Sequence, residues 1–368
     1  MSPRKALPTA LALGLTLATG AHADEGMWMP TQLPDLAQPL QAAGFKGNPA
    51  DLANVTAPPL SAVVRAGGGT GSFVSADGLL LTNHHVAMGV IQYNSSPEHD
   101  LIAGGFIARD RADERPANPD FRVLVTVGFD KVTDQVLAQA RGKTGCAYFD
   151  AVDAASKQIV AECEKDGSVR CSVANMYYGT DFYRIAQLEL SDVRLVYAPP
   201  RAIGNYGDEI DNFMWPRHTG DFTLLRAYVG KDGKPAAYSK DNVPYQAPAH
   251  LQMSVEGPKE GDYAMLAGYP GITYRHRTAA EFAGQIDTVL PRRVSVFQQM
   301  IDTIEAASAK DAQARTRYAS QLQSLKNNRK RAAGELEGLL RSDAKAQRAA
   351  DETAMLAATD RRYQGDIK

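Results

Sequence analysis

The chain has 368 residues, 44% of them hydrophobic and 22% charged, which suits one large or two ordinary globular domains. Its formal net charge of −2 argues against a nucleic-acid or anionic-membrane partner, since either would require a basic surface.

Residues 1–23 read as a secretory signal. Arg4 and Lys5 form a basic start, Ala6 to Thr19 is mostly apolar, and Ala21-His22-Ala23 is a small-x-small cleavage site. The apolar part is shorter than the roughly 20 residues needed to span a bilayer. Cleavage would remove Arg4 and Lys5, leaving a chain that starts at Asp24 with a net charge of −4. No later stretch is apolar enough to cross a membrane, so the expectation is a soluble, exported protein, periplasmic or otherwise. Residues 24 to about 60 are rich in Pro and Leu and carry helix-length fragments.

From Ser61 to about Tyr274 the chain reads as short strands. Apolar runs such as Phe121 to Val127, Val193 to Tyr197, Phe222 to Val229 and Tyr263 to Gly268 are split by Gly, Pro, Asn and Asp. That texture predicts a barrel or sandwich. Lys231-Asp-Gly-Lys234 reads as a hairpin turn. Phe149 to Glu164 is a helical insertion. Just beyond it, Cys163 and Cys171 flank an Asp166-Gly167 turn and are expected to cross-link a hairpin, which export permits. Cys146 is then expected to be free and buried. Zinc fits poorly, because no His or second Cys pair lies at ligand spacing.

After Pro291 the texture changes. No Gly or Pro occurs from Arg292 to Ala333. Phe297, Met300, Ile301 and Ile304 recur at helical spacing, and Leu322, Leu325, Leu336 and Leu339 continue the apolar face. The predicted class is therefore mainly β with an α-helical segment. The β part occupies 24–276 and a helical part 277–368, where helix-forming composition is still running at Lys368.

The residues that could carry chemistry centre on Leu79-Leu-Leu-Thr-Asn-His-His-Val86. A histidine just past a buried strand can be held rigid while its ring faces a cleft, which is how two-barrel serine peptidases present a general base. His85 is that candidate. His84 is not its equal, since adjacent side chains on extended backbone point to opposite sides; the same geometry argues against a shared metal. Asp221 is the candidate orienting acid because it immediately precedes an apolar strand. Asp208, Glu209 and Asp211 compete with it on composition alone. A nucleophile should complete the set, yet no Gly-Asp-Ser-Gly or Gly-Asn-Ser-Gly string occurs. Ser72 follows a Gly-Thr-Gly run, but it lies on the strand leading toward His85 and reads as a packed residue.

At these residues the chain resembles the bacterial dipeptidyl-peptidase 7/11 family of serine exopeptidases. The resemblance is carried by Asp24-Glu-Gly-Met-Trp-Met-Pro30, Gly71-Ser-Phe-Val-Ser75, Leu81-Thr-Asn-His-His85 and Ile102-Ala-Gly-Gly-Phe106. It continues through Asp192-Val-Arg-Leu-Val196, Asp211-Asn-Phe-Met-Trp-Pro-Arg-His-Thr-Gly-Asp221, Gly268-Tyr-Pro-Gly271, Asn327-Asn-Arg-Lys330 and Glu337-Gly-Leu339. It implies a chymotrypsin-like double β-barrel with a helical domain inserted between the barrels and capping the cleft. It also implies release of dipeptides from free N-termini, with no cofactor, in a homodimer. By position it gives Asn212 and Asn327 the task of binding the substrate's α-amino group, with Phe213 beside them. From composition alone Asn212 reads as a turn residue and Asn327 as a solvated helix residue.

Three departures from the family pattern stand out. Phe213 replaces the usual Trp, keeping a stacking surface and losing the indole donor. Gly69 and Val86 replace two family cysteines, as loss of one disulfide would require. Family members are about twice this length, and their second barrel, with the catalytic serine, follows the helical domain. The expectation is therefore the first barrel and part of the helical domain of a serine dipeptidyl-peptidase, inactive as this chain alone. A non-catalytic exported peptide-binding protein or pseudoenzyme is the alternative from another class. A metal-dependent peptidase is a third.

Overall fold

The computed structural model describes residues 27–359, with Thr273 and Arg275 excepted. The signal-like segment, its cleavage site and the Asp24–Gly26 start lie outside the described residues.

One antiparallel sheet of eleven strands organises the β part. The strands are β1 (Val63–Ala66), β2 (Gly69–Phe73), β3 (Leu79–Thr82), β4 (Phe106–Ile107), β5 (Arg115–Pro116), β6 (Val123–Lys131), β7 (Arg170–Met176), β8 (Asp181–Leu190), β9 (Asp192–Ala198), β10 (Thr223–Val229) and β11 (Val243–Pro244). Their order is β4-β9-β10-β3-β2-β1-β6-β8-β7, with β5 on β9 and β11 on β10. Strands β1 to β3 form a meander, with Val63 opposite Ser72 and Phe73 opposite Leu80.

Helix α1 (His84–Tyr93) starts two residues after β3 and lays Ala87, Met88, Val90 and Ile91 into the core. Phe73, Leu80, Leu195 and Leu225 pack there with them, all fully buried. Fully burying such a side chain contributes about 1.5–3 kcal/mol. Strands β3 and β10 and helix α1 are thus fixed relative to one another by one dry cluster. A second, smaller cluster of Val132, Val136, Ala155 and Phe182 docks helix α2 (Gly145–Cys163) on the far end of the sheet.

Some expectations change in detail. The chain is mixed α/β, since helices fill the loops that the strand pattern left unassigned. Cys163 and Cys171 are joined, but the bond ties the end of α2 to β7 rather than closing a β-hairpin. Cys146 is exposed, not buried, because it sits in the first turn of α2 on its solvent side. The 231–234 turn exists, with Gly230 N–H donating to Lys234 O, but the next strand begins only at Val243. Tyr263 to Gly268 is not a strand. Its neighbourhood is irregular chain pinned to the sheet by Tyr269, whose N–H donates to Thr70 Oγ1 and whose hydroxyl meets Thr126.

The helical part begins before Pro291. Thr278 and Glu281 form a capping box that starts a helix at Ala279. A π-turn at Gln285–Val289 carries it into α3 (Leu290–Ser308). Pro291 lacks an N–H to donate, and the wider turn ahead of it accommodates that loss. Helices α4 (Ala312–Leu340) and α5 (Ala344–Ala358) follow. Gln92 at the end of α1 pins α4 twice, donating to Arg317 O at 2.7 Å and accepting from Ser320 N at 2.9 Å. No helix among the described residues is long and apolar enough to cross a membrane.

Candidate active site

Strand register brings His85 and Asp221 together. Thr223 on β10 pairs with Thr82 on β3. Running that antiparallel register two residues beyond the ladder sets Asp221 beside the His84-His85 pair. His85 Nδ1 lies 2.7 Å from Asp221 Oδ2, and the His85 backbone N–H donates to Asp221 Oδ1 at 3.0 Å. Asn83 adds its side-chain amide, donating to Asp221 O at 3.2 Å and Oδ2 at 3.4 Å. The carboxylate therefore does two things. It engages the imidazole, and it caps the N-terminus of α1 from across the sheet, where helical N–H groups lack partners.

Burial alone would push Asp221 up. The hydrogen bonds and charge of His85 outweigh it and hold the acid below the usual carboxylate range. An ionised Asp221 on Nδ1 selects the tautomer with the proton on Nδ1, leaving Nε2 basic. The His85 side chain is 56% exposed. Among the described residues no hydroxyl or thiol hydrogen-bonds its ring. Ser72 lies mid-strand, opposite Val63 and Leu81.

His84 and His85 do diverge, though for a reason other than extended backbone. Both sit in the first turn of α1, where the helix turns His84 inward. His84 is fully buried, and neither ring nitrogen has a hydrogen-bond partner. Its ring lies so close to Gly204 that a Cβ there would approach within 2.5 Å, which is why only glycine fits. Desolvation holds this imidazole below the ordinary histidine range.

Asn212 and Asn327 also meet. Asn212 Nδ2 donates to Asn327 Oδ1 at 3.0 Å and to Glu209 Oε2 at 3.4 Å, and Arg217 Nη1 donates to Asn212 Oδ1 at 3.1 Å. Lys330 donates to the backbone carbonyls of Glu209 and Ile210. The cluster thus joins the 208–217 loop to helix α4. The loop is strained: Asp208 and Phe213 both have positive φ, at 43° and 58°. Phe213 is exposed beside Asn212. Sequence reading missed Asn83 and Arg217 and set Glu209 aside. A helix-capping residue type directly before the His pair was the available signal for Asn83. No group of three or more metal-ligating side chains is found among the described residues.

Residues 23–366 match the peptidase S46 family model. An Asp/Glu-specific dipeptidyl-peptidase of Shewanella putrefaciens is 41% identical over 335 residues, covering 91% of this chain and 46% of that protein. A dipeptidyl-peptidase 7 of Porphyromonas gingivalis is 35% identical, covering 94% and 49%. The crystal structure of Porphyromonas endodontalis DPP11 with the dipeptide Arg-Asp superposes with a TM-score of 0.84 at 33% identity, covering 91% and 49%. The chain belongs to the peptidase S46 family, whose matched relatives are dipeptidyl-peptidases. It spans about half the length of the relatives it matches.

Proposed function

We propose that this chain is the N-terminal portion of an exported serine dipeptidyl-peptidase, comprising the first barrel of a chymotrypsin-like pair and part of a helical cap. His85 is the general base, and Asp221 holds its tautomer and stabilises the imidazolium. Asn212, Phe213 and Asn327 form the subsite for the peptide's free N-terminus, and a homodimer is the working assembly. The 2.7 Å contact between His85 Nδ1 and Asp221 Oδ2, on a histidine whose side chain is more than half exposed, carries this reading. The nucleophilic serine is supplied by a segment outside these 368 residues. In support, the chain has no Gly-Asp-Ser-Gly or Gly-Asn-Ser-Gly string, and its relatives are about twice as long.

The test is release of dipeptides from dipeptidyl fluorogenic substrates. The 368-residue chain should release none. Adding a C-terminal half, as found in the relatives, should restore turnover, and His85→Ala should then lower it at least 1,000-fold. Turnover by the 368-residue chain alone, abolished by His85→Ala, would place a nucleophile within it and overturn the split-site reading.

A further inference from the structure

Asn83 sits immediately before α1, where an Asn side chain ordinarily accepts a hydrogen bond from an N–H in the first turn of the helix. No such bond forms here. The N–H of His85, the second residue of the helix, is taken by Asp221 Oδ1 instead. Released from capping, the Asn83 amide turns to Asp221. We infer that Asn83 is a positioning residue for the catalytic pair, its amide holding the Asp221 carboxylate against the His85 ring, an inference that rests on the roles just proposed for His85 and Asp221.

The neighbours fix which way the amide faces. Asp221 O and the ionised Asp221 Oδ2 can only accept, so the amide nitrogen must meet them. An amide carries two N–H groups and can offer one to each oxygen. It thereby ties the main chain of Asp221 to the carboxylate of the same residue. The β3–β10 ladder closes at Thr82 and Thr223, so the Asp221 carbonyl lies beyond it, and Asn83 supplies a donor there at 3.2 Å. The carboxylate otherwise rests on His85 alone, through the N–H at 3.0 Å and the ring at 2.7 Å. Asn83 Nδ2, 3.4 Å from the oxygen that meets the ring, adds a donor from a second residue and opposes rotation of the carboxylate away from Nδ1. Three of its roughly four acceptor sites are then engaged.

Asn83 is exposed, so burial does not account for where its side chain points. A capping role and a positioning role diverge for one isosteric change. Asn and Asp cap helices about equally well. In Asn83→Asp the new carboxylate would only accept, and it would face Asp221 with a like charge. Capping survives that change, whereas the hold on Asp221 does not.

Nitrogen NMR of the histidine rings tests this on the 368-residue chain in mildly alkaline solution, where it reads which ring nitrogen of the neutral His85 carries the proton. The His85 signals are identified by their loss in His85→Ala. The native ring should carry its proton on Nδ1. Asn83→Asp and Asn83→Ala should each shift the ratio of the two tautomers about fivefold toward Nε2–H, and Asn83→Gln, which keeps an amide, should return most of that shift. With the C-terminal half added, Asn83→Asp should lower kcat about tenfold at unchanged KM. A native tautomer ratio or a native kcat in Asn83→Asp would overturn the inference while leaving the catalytic pair standing. Equal shifts in the Gln and Ala variants would overturn it by showing that the amide is not the cause. A native chain with its His85 proton on Nε2 would overturn the His85–Asp221 reading and the inference together.

Discussion

Two groups beside the exposed His85, the buried His84 and the part-buried Asp221, titrate differently from their free forms, and both contribute to the acid response of the fold. His84 is fully buried and without a hydrogen-bond partner, and desolvation holds its imidazole below the ordinary histidine range. The unfolded chain therefore takes up a proton first as pH falls through 6.5, and stability drops by about 1.4 kcal/mol for each pH unit down to the folded value. Asp221 is depressed below 3.8, so its contribution is present above 3.8 and is lost as pH falls through its folded value. Urea unfolding between pH 8 and pH 2 should show both losses. His84→Leu should remove the upper one, because an apolar side chain there has nothing to protonate. Asp221→Asn should shrink the lower one while retaining an oxygen for the His85 N–H, leaving the part carried by Asp77, which Ser75, Arg226 and Arg111 also hold below the usual carboxylate range. An unchanged upper loss in His84→Leu would mean that some other group governs it.

The loop that carries His85 is held by packing between β2 and α1, where the resemblance implied a disulfide. A Cβ built on Gly69 lies 3.6 Å from the Cβ of Val86, within the disulfide range of about 3.5–4.5 Å. The double substitution Gly69→Cys with Val86→Cys should therefore oxidise spontaneously. Closing a loop of this size should stabilise the chain by roughly 3 kcal/mol, measured as the difference between oxidised and reduced urea unfolding. Thiol titration should still find Cys146 alone; two further reactive thiols would show that the positions do not face each other in solution. This pair was legible only through the resemblance, which implied cysteines at both positions. The His85–Asp221 pair was legible for a different reason: each flanks an apolar strand, and strands β3 and β10 pair. The Asn212–Arg217–Glu209 polarity and the capping of α1 by Asp221 were not legible. They depend on which way a side chain points after a turn, and no periodicity encodes that.

At the scale of the whole molecule, what escaped the sequence is contact between distant segments. Arg226 joins Glu114 at 2.9 Å and Asp77 at 2.8 Å, while the Tyr228 hydroxyl closes on Glu114 at 2.7 Å. These partners come from three places in the chain, Asp77, Glu114 and strand β10, and pattern reading does not join them. The strand reading of Tyr263 to Gly268 failed in the opposite direction. The local pattern suits a strand, but no neighbouring strand pairs with it. Apolar groups are left exposed in this irregular stretch: Val255 and Leu266 are fully exposed, and Ile272 is 82% exposed. Trp215, at 93%, adds to the exposed apolar area in the strained loop. Exposed apolar side chains drive association in water. The 368-residue chain at micromolar concentration should therefore enhance the fluorescence of an apolar dye and elute earlier from a sizing column as concentration rises. Val255→Ser with Leu266→Ser should suppress both without changing the melting temperature, since neither side chain touches the core. A native chain that binds no dye and elutes as a monomer at every concentration would show that these residues fold against the sheet in solution.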